Sequence, residues 1–145
     1  MTTPAWPGPR RSVEALAKDI GPVPFADACI TLLKGGVVDG RIVHALGGPP
    51  ARWGLDGGVS GPDYWLRVWA LRGLLWQWDD RATPATITAM VDGSWRVREM
   101  ACKVVARHLA DEALEPLMAL LDDAVPRVRK AAQRAVERLS SQGGR

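Results

Sequence analysis

A chain of 145 residues with a formal net charge of +3 and a pI near 9.2 is long enough to bury a stable core as one domain. It has no apolar run of membrane-spanning length, and its opening MTTPAWPGPRR lacks the apolar stretch of a secretory signal. These features predict a cytoplasmic protein that has no membrane partner. Cys29 and Cys102 lie in separate helical patterns and are expected to pack as small apolar residues rather than to form a disulfide or a metal site.

Three short helices are predicted in the N-terminal third, after a proline-rich arm at residues 1–11 that is expected to be disordered. The first of these helices is predicted to start at a Ser12 cap, and Trp6 in the arm is expected to be exposed. The three helices show no obvious repeat. Together with the loop that follows, they predict a divergent unit at residues 12–61 that caps a helical array.

A long segment rich in glycine and proline follows at residues 47–62 and excludes regular structure. A loop of this length in a small domain is either functional or a flexible join. A phosphate-cradling loop at residues 54–61 is not favoured, because the Walker pattern and a preceding strand are both missing.

The helix predicted at residues 64–78 contains four tryptophans and is apolar almost all round. A helix of this kind is usually buried on most sides. Full burial of Trp65 and Trp76 beneath the N-terminal helices is therefore the preferred interpretation. The alternative is that these two indoles line a binding groove.

A repeat of 31 residues, the difference between Val97 and Val128, relates the helix at 94–109 to a later helix and to the tryptophan-rich one. In each helix the apolar positions follow helical spacing, and Arg67, Arg98 and Arg129 occupy the same register position. Ser94 is expected to cap the middle helix. A fixed period in this range is typical of a repeat array, here at residues 62–139 with a polar tail at 140–145.

Two aspartates, Asp92 and Asp123, precede Arg98 and Arg129 by six positions each and lie in the predicted turns. An aspartate in a turn and an arginine one helical turn into the next helix can pair, within a repeat or across to its neighbour. Stacked repeats would then form a structural ladder of charge-assisted hydrogen bonds that includes Arg67. The alternative is a set of exposed pairs that contribute little. The repeated spacing favours the ladder.

The pattern of Asp, five residues and Arg, with Val before the Arg and Ala three positions after it, occurs in DGSWRVREMA and DAVPRVRKAA and resembles HEAT repeats. The short period is similar to the compact HEAT-like type seen in phycobilin lyases. Each full repeat is predicted to be a short first helix, a tight turn and a second helix. The resemblance covers residues 83–139 well. Residues 62–78 match only the second helix of a repeat, and Gly61 before them replaces the expected aspartate. It implies an all-α fold, a short right-handed α-solenoid of HEAT-like helical hairpins with a divergent helical N-terminal cap. HEAT arrays serve mostly as binding surfaces, so the resemblance does not specify a function.

The positions of the second helices that face away from the core predict one candidate binding face, aromatic at one end and strongly basic at the other. Its cations must be exposed, because unpaired Lys and Arg are almost never buried. The predicted partner-binding residues are Trp65, Arg72, Trp76, Arg96, Lys103, Arg107, Arg127, Lys130, Arg134 and Arg138. A merely solvated charged face is the alternative.

The sequence contains no nucleophile–base pair, metal-ligand spacing or cofactor motif. Adjacent Asp79 and Asp80 are expected to cap or face solvent. The prediction is therefore a non-enzymatic module that binds another protein and takes no cofactor, metal or small-molecule ligand. One alternative is DNA or RNA binding through the Arg/Lys stripe. Another is an enzyme similar to the HEAT-like alkylpurine DNA glycosylases, which use Trp and Asp in a basic concave groove.

Overall fold

The computed structural model describes residues 5–49 and 63–143, and every regular element within these ranges is helical. The all-α prediction is therefore confirmed. The helices are α1 (Pro9–Ile20), α2 (Pro22–Leu33), α3 (Gly40–Gly47), α4 (Tyr64–Trp76), α5 (Thr83–Ala89), α6 (Trp95–His108), α7 (Leu114–Ala119) and α8 (Pro126–Gly143). Short 3-10 turns at Asp80–Ala82, Asp111–Ala113 and Leu120–Asp122 flank α5 and α7.

The helices pack in two layers. In one layer α6 lies between α4 and α8, and these three helices are the ones related by the 31-residue period. The other layer is formed by α2, α5 and α7, which pack against α4, α6 and α8 respectively. This arrangement is the predicted solenoid-like stack of hairpins. It also shows that α2 packs against α4 as α5 packs against α6, although the sequence of α2 shows no repeat.

The apolar stripe of each repeat helix forms the core between the layers. On α6, Val97, Ala101, Val104 and Val105 are all fully buried, as the helical spacing predicts. The same positions of α8 and α4 belong to one continuous hydrophobic cluster that extends from Val13 to Leu139. The repeats and the N-terminal helices therefore share a single core.

A glycine allows α4 to approach the N-terminal helices closely. A Cβ atom on Gly73 would lie 2.9 Å from Leu46 Cδ2, 3.0 Å from Phe25 Cζ and 3.3 Å from Cys29 Sγ. Because Leu46 is on α3 and the other two are on α2, this one position lets both helices pack onto α4.

The N-terminal boundary differs from the prediction. Helix α1 begins at Pro9, so residues 9–11 are helical rather than part of an arm, because proline is favoured in the first turn of a helix. Ser12 does not cap this helix; its hydroxyl donates to the Ala45 carbonyl at 2.7 Å and joins α1 to α3. Trp6 is partly buried rather than exposed, and its ring packs against Gly48.

Two further boundaries can be compared with the structure. Helix α8 continues through Ser140 to Gly143, into the predicted polar tail, and the Ser141 hydroxyl donates to the Glu137 carbonyl. Of the predicted loop at 47–62, residues 50–62 lie outside the described part of the chain, as does the segment at 54–61.

Candidate functional site

The predicted ladder residues come together between neighbouring repeats. Arg67 Nε lies 2.6 Å from Asp92 Oδ2, and Arg98 Nε lies 2.8 Å from Asp123 Oδ2. Each guanidinium makes a second contact to the same carboxylate, at 3.3 and 3.1 Å. Each of these two arginines therefore makes its short ion pair with the aspartate 25 residues ahead. Arg67 also has a longer contact within its own repeat, 3.8 Å from Nη1 to Asp63 Oδ1.

Arg98 and Arg129 each contact the turn aspartate of their own repeat at its backbone carbonyl. Arg98 Nη1 donates to the Asp92 carbonyl at 2.8 Å, and Arg129 Nη1 donates to the Asp123 carbonyl at 2.7 Å. A single arginine can thus connect its own turn to the next one. Arg129 has no ion pair within residues 5–49 and 63–143.

The same aspartates start the second helices. Asp92 Oδ1 accepts the backbone N–H of Ser94, and Asp123 Oδ1 accepts that of Val125, each at 2.9 Å. The prediction that Ser94 caps α6 through its side chain is wrong, because the Ser94 hydroxyl makes no capping hydrogen bond. The Asp92 carboxylate accepts a backbone N–H at this turn instead. Hydrogen bonds from Arg98 hold the pKa of Asp123 below its usual value against the opposing effect of burial.

The aromatic end of the predicted binding face is only partly exposed. Trp65 and Trp76 are partly buried, so their predicted full burial is wrong; the indole of α4 that is buried is Trp69, at 6% exposure. The Trp65 ring stacks on that of Trp69, with centroids 6.2 Å apart. Trp65 and Trp76 both pack against the core while each leaves part of its surface at the edge of α4.

Two of the predicted binding arginines are engaged by aromatic rings at the start of the second helices. The Arg96 guanidinium lies 4.5 Å from the Trp95 ring and 5.6 Å from the rings of Tyr64 and Trp65. The Arg127 guanidinium of α8 lies 5.2 Å from the centroid of the same Trp95 ring of α6, within cation–π range. Its Nε also donates to a Glu99 carboxylate oxygen at 2.9 Å. These two cations therefore join neighbouring helices.

Arg72 lies apart from the rest of the stripe. Its Nη2 donates to the Leu46 carbonyl at 2.6 Å, which joins α4 to α3, and burial lowers the pKa of its guanidinium. The prediction that placed Arg72 on an exposed binding face is not supported by this position, because α3 covers the face of α4 from which it projects.

Four of the predicted cations converge on one cleft of about 560 Å³ between α6 and α8. They are Lys103 and Arg107 on α6 and Arg134 and Arg138 on α8. Each helix contributes residues four positions apart, and the 31-residue period places the two pairs side by side. This site is called the basic cleft below. Lys130 is exposed but does not line it.

The floor of the basic cleft is less polar than its rim. Leu75, Ala106 and His108 complete its lining. Arg107, Arg134 and Arg138 form no ion pair within the described residues, and Lys103 Nζ lies 3.8 Å from a Glu99 oxygen. The cleft therefore presents cations around a small apolar surface.

A second cleft, of about 770 Å³, lies on the other side of His108. Its carboxylates come from Asp80, Asp111 and Glu112, and its aromatic wall is Trp78. This site is called the acidic cleft below. It was not predicted, although Asp80 and Asp111 are 31 residues apart and begin equivalent 3-10 turns, because only the fold brings these turns together with Trp78 and His108. Its remaining lining residues are Thr83, Pro84, Ile87, Leu109 and Ala110.

His108 forms the wall that the two clefts share. Its ring stacks on Trp78 with centroids 4.7 Å apart and planes 10° from parallel. Its Nε2 lies 3.0 Å from the carbonyl oxygens of both Leu74 and Leu75. Carbonyls only accept, so Nε2 bears the proton. Burial lowers the pKa of His108 despite these two bonds.

The remaining polar candidates have structural contacts. Asp79 accepts the backbone N–H and the guanidinium of Arg81, which also reaches Asp27 at 2.9 Å. Asp80 accepts the indole N–H of Trp78 at 2.8 Å.

The two cysteines are free and buried, and burial raises the pKa of each thiol to about 12. Among the described residues, no three His, Cys, Asp or Glu side chains are grouped as metal ligands. In the same part of the chain, every helix is too short or too polar to cross a bilayer.

Stacked helical hairpins with one continuous core define an α-helical repeat protein. Comparison with profiles of protein families matches residues 55–137, more than half of the chain, to HEAT repeats. The chain therefore belongs to the HEAT-repeat family. The match extends N-terminal of residue 83 and includes α4, the helix against which α2 packs. Searches of curated proteins and of solved structures gave no match.

Proposed function

We propose that this protein is a non-enzymatic HEAT-repeat module that binds a partner protein at the basic cleft. The observation that supports this function is the convergence of Lys103, Arg107, Arg134 and Arg138 from two repeats on one cleft. HEAT repeats generally mediate protein–protein interaction, and the cations of this cleft are available to a partner.

The proposed binding surface is smaller than the predicted stripe. Arg96 and Arg127 are held by aromatic rings, and Arg72 by the Leu46 carbonyl. We assign these three to the fold, together with Trp65 and Trp76, which pack on the core. The ladder of Arg67–Asp92 and Arg98–Asp123 pairs is likewise proposed to be structural. Lys130 is exposed outside the cleft, where a cation affects the association rate more than the affinity.

The shape of the basic cleft favours a protein partner over nucleic acid. Leu75 and Ala106 offer an apolar floor that a phosphate backbone would not use. The adjacent acidic cleft would repel a polyanion that continued past His108. A protein segment can place acidic side chains at the rim and an apolar side chain on the floor.

The test is quantitative affinity capture from native lysate with wild-type protein and with the double variant Arg134→Glu and Arg138→Glu. We expect the variant to capture at least tenfold less of the partner than wild type does, because each reversal replaces attraction with repulsion at the cleft. Circular dichroism and thermal unfolding measure whether the variant is folded. We expect it to fold as wild type does, since both residues are exposed.

The matched control is Arg11→Glu with Lys18→Glu on α1, where both side chains are exposed. Each reversal changes the charge by two, so both double variants lower the formal net charge by four, from +3 to −1. Specific loss in the cleft variant supports the proposed site. Equal retention by both variants, or equal loss, contradicts it.

A further inference from the structure

The two clefts on either side of His108 have opposite charge. The basic cleft contributes Lys103, Arg107, Arg134 and Arg138, and the acidic cleft contributes Asp80, Asp111 and Glu112. Because His108 lines both, they are neighbouring parts of one surface rather than separate sites. A partner that covers one cleft and continues past His108 meets the other.

The cations of the basic cleft have a regular spacing. Lys103 and Arg107 are four residues apart on α6, and Arg134 and Arg138 are four residues apart on α8. Four residues of helix advance by about 6 Å, and packed helices lie roughly 8–10 Å apart. Carboxylates at positions i and i+4 of a partner helix have the same spacing of about 6 Å. An acidic helix lying along the groove between α6 and α8 would match this arrangement.

The acidic cleft is suited to a cationic side chain. The Trp78 indole and the His108 imidazole stack face to face and both line this cleft. A cation is favoured over the face of an indole. Asp80 is fixed by the Trp78 indole N–H, whereas Asp111 and Glu112 are exposed and form no ion pair within the described chain. These carboxylates and the indole face the same cleft.

We infer that the partner segment is bipolar: a helical stretch with pairs of Asp or Glu at i and i+4 for the basic cleft, joined to a Lys or Arg for the acidic cleft. This inference rests on the proposed function and specifies its partner. Charge complementarity on both sides of His108 selects such a segment over a uniformly acidic peptide. It also disfavours duplex DNA, which has no cation to place between Asp111 and Glu112.

The experiment is selection from a displayed random peptide library against the full chain, followed by deep sequencing of the enriched pool. We expect wild-type protein to enrich peptides that contain both the acidic pairs and a basic residue. The Asp111→Asn with Glu112→Gln variant should keep the acidic preference and lose the basic one. The Arg134→Glu with Arg138→Glu variant should lose the acidic preference.

Affinities of one selected peptide provide the quantitative readout. Neutralising Asp111 and Glu112 should weaken it about fivefold, the effect of roughly two exposed ion pairs. Replacing the peptide's basic residue with alanine should have the same effect on wild-type protein and none on that variant. The Arg11→Glu with Lys18→Glu control should bind as wild type does.

The outcomes separate this inference from the proposed function. Acid-only peptides that bind the basic cleft, unaffected by the Asp111 and Glu112 changes, would overturn the bipolar partner and leave the proposed function intact. Enrichment of no peptide, or displacement of the selected peptide by duplex DNA at lower concentration than by free peptide, would overturn the inference. Loss of the captured protein partner in the cleft variant tests the proposed function independently.

Discussion

At the residue scale, the Asp123 carboxylate joins two repeats. It accepts the Val125 N–H at the start of α8 and both Nε and Nη2 of Arg98 from α6. The Asp123 side chain is 7% exposed and that of Arg98 is 16% exposed, so water competes weakly for these bonds. An ion pair with this geometry is expected to stabilise the stack more than a surface pair does.

We predict that Arg98→Ala lowers the free energy of unfolding by about 2–3 kcal/mol at pH 7, because Asp123 would remain largely buried without its guanidinium. Since the folded pKa of Asp123 is lowered, its charged form stabilises the fold above the unfolded pKa near 3.8. This contribution is lost as the pH falls through the folded pKa. Urea unfolding at pH 7, 5 and 3 should show the difference between wild type and variant shrink toward pH 3.

Arg134→Ala is the control for this prediction. Arg134 is exposed and has no ion pair within the described residues, so its removal should change the free energy of unfolding by less than about 0.5 kcal/mol at each pH. Equal destabilisation by the two alanine variants would show that Arg98 has no special structural role.

The sequence predicted which ladder residues share a register, but not which of them would pair. A fixed period places Arg67, Arg98 and Arg129 at equivalent positions whatever the details of packing. The choice between Asp92 and Asp123 as the partner of Arg98 depends on the distance between repeats, which sequence spacing does not contain. The roles of Arg96 and Arg72 were missed for the same reason, since rings and a carbonyl of other helices engage them.

At the element scale, periodicity predicted α4, α6 and α8 correctly because their apolar stripes repeat. It could not predict that α2 packs on α4, because the two helices share no register and are separated by α3 and residues 48–63. Gly73 shows the difficulty well. In the sequence it is a weak point in a helix, whereas in the fold it is the place where α2 and α3 meet α4.

We predict that Gly73→Ala destabilises the protein by roughly 1–2 kcal/mol, even though alanine favours helix by about 1 kcal/mol. The added methyl would lie 2.9 Å from Leu46 Cδ2 and 3.0 Å from Phe25 Cζ, and both of these side chains are fully buried. The free energy of unfolding from urea titration measures the effect.

Gly93→Ala is the matched control for Gly73. No heavy atom lies within 4 Å of a Cβ built at Gly93, and its φ is not positive. The change should leave stability unaltered or raise it by up to about 1 kcal/mol. If Gly73→Ala were as stable as Gly93→Ala, α2 and α3 would have to pack on α4 less closely than described.

At the scale of the whole molecule, the distribution of charge bears on the choice between a protein partner and nucleic acid. The formal net charge is only +3, and carboxylates line the cleft next to the basic one. The pI near 9.2 is compatible with either class, but a phosphate backbone that continued past the basic cleft would meet these carboxylates. The convergence of four cations was predictable from the register. The register also relates Asp80 to Asp111, but it does not indicate that Trp78 and His108 join them in one cleft.

We predict weak duplex DNA binding, with a dissociation constant at physiological salt no tighter than the non-specific range of roughly 10⁻⁴ to 10⁻⁶ M. If all four cleft cations contact phosphates, the slope of log K against log salt concentration is about −3.6, because each neutralised phosphate contributes about −0.9. Fluorescence anisotropy of labelled duplex across a salt series measures both quantities. Tight binding with a steeper slope, abolished by Arg134→Glu with Arg138→Glu, would instead identify the basic cleft as a nucleic-acid site, and base excision would then be the activity to assay. A slope of −3.6 or shallower at micromolar or weaker affinity is the result that we expect if the cleft binds an acidic protein segment, because its four cations neutralise at most about four phosphates.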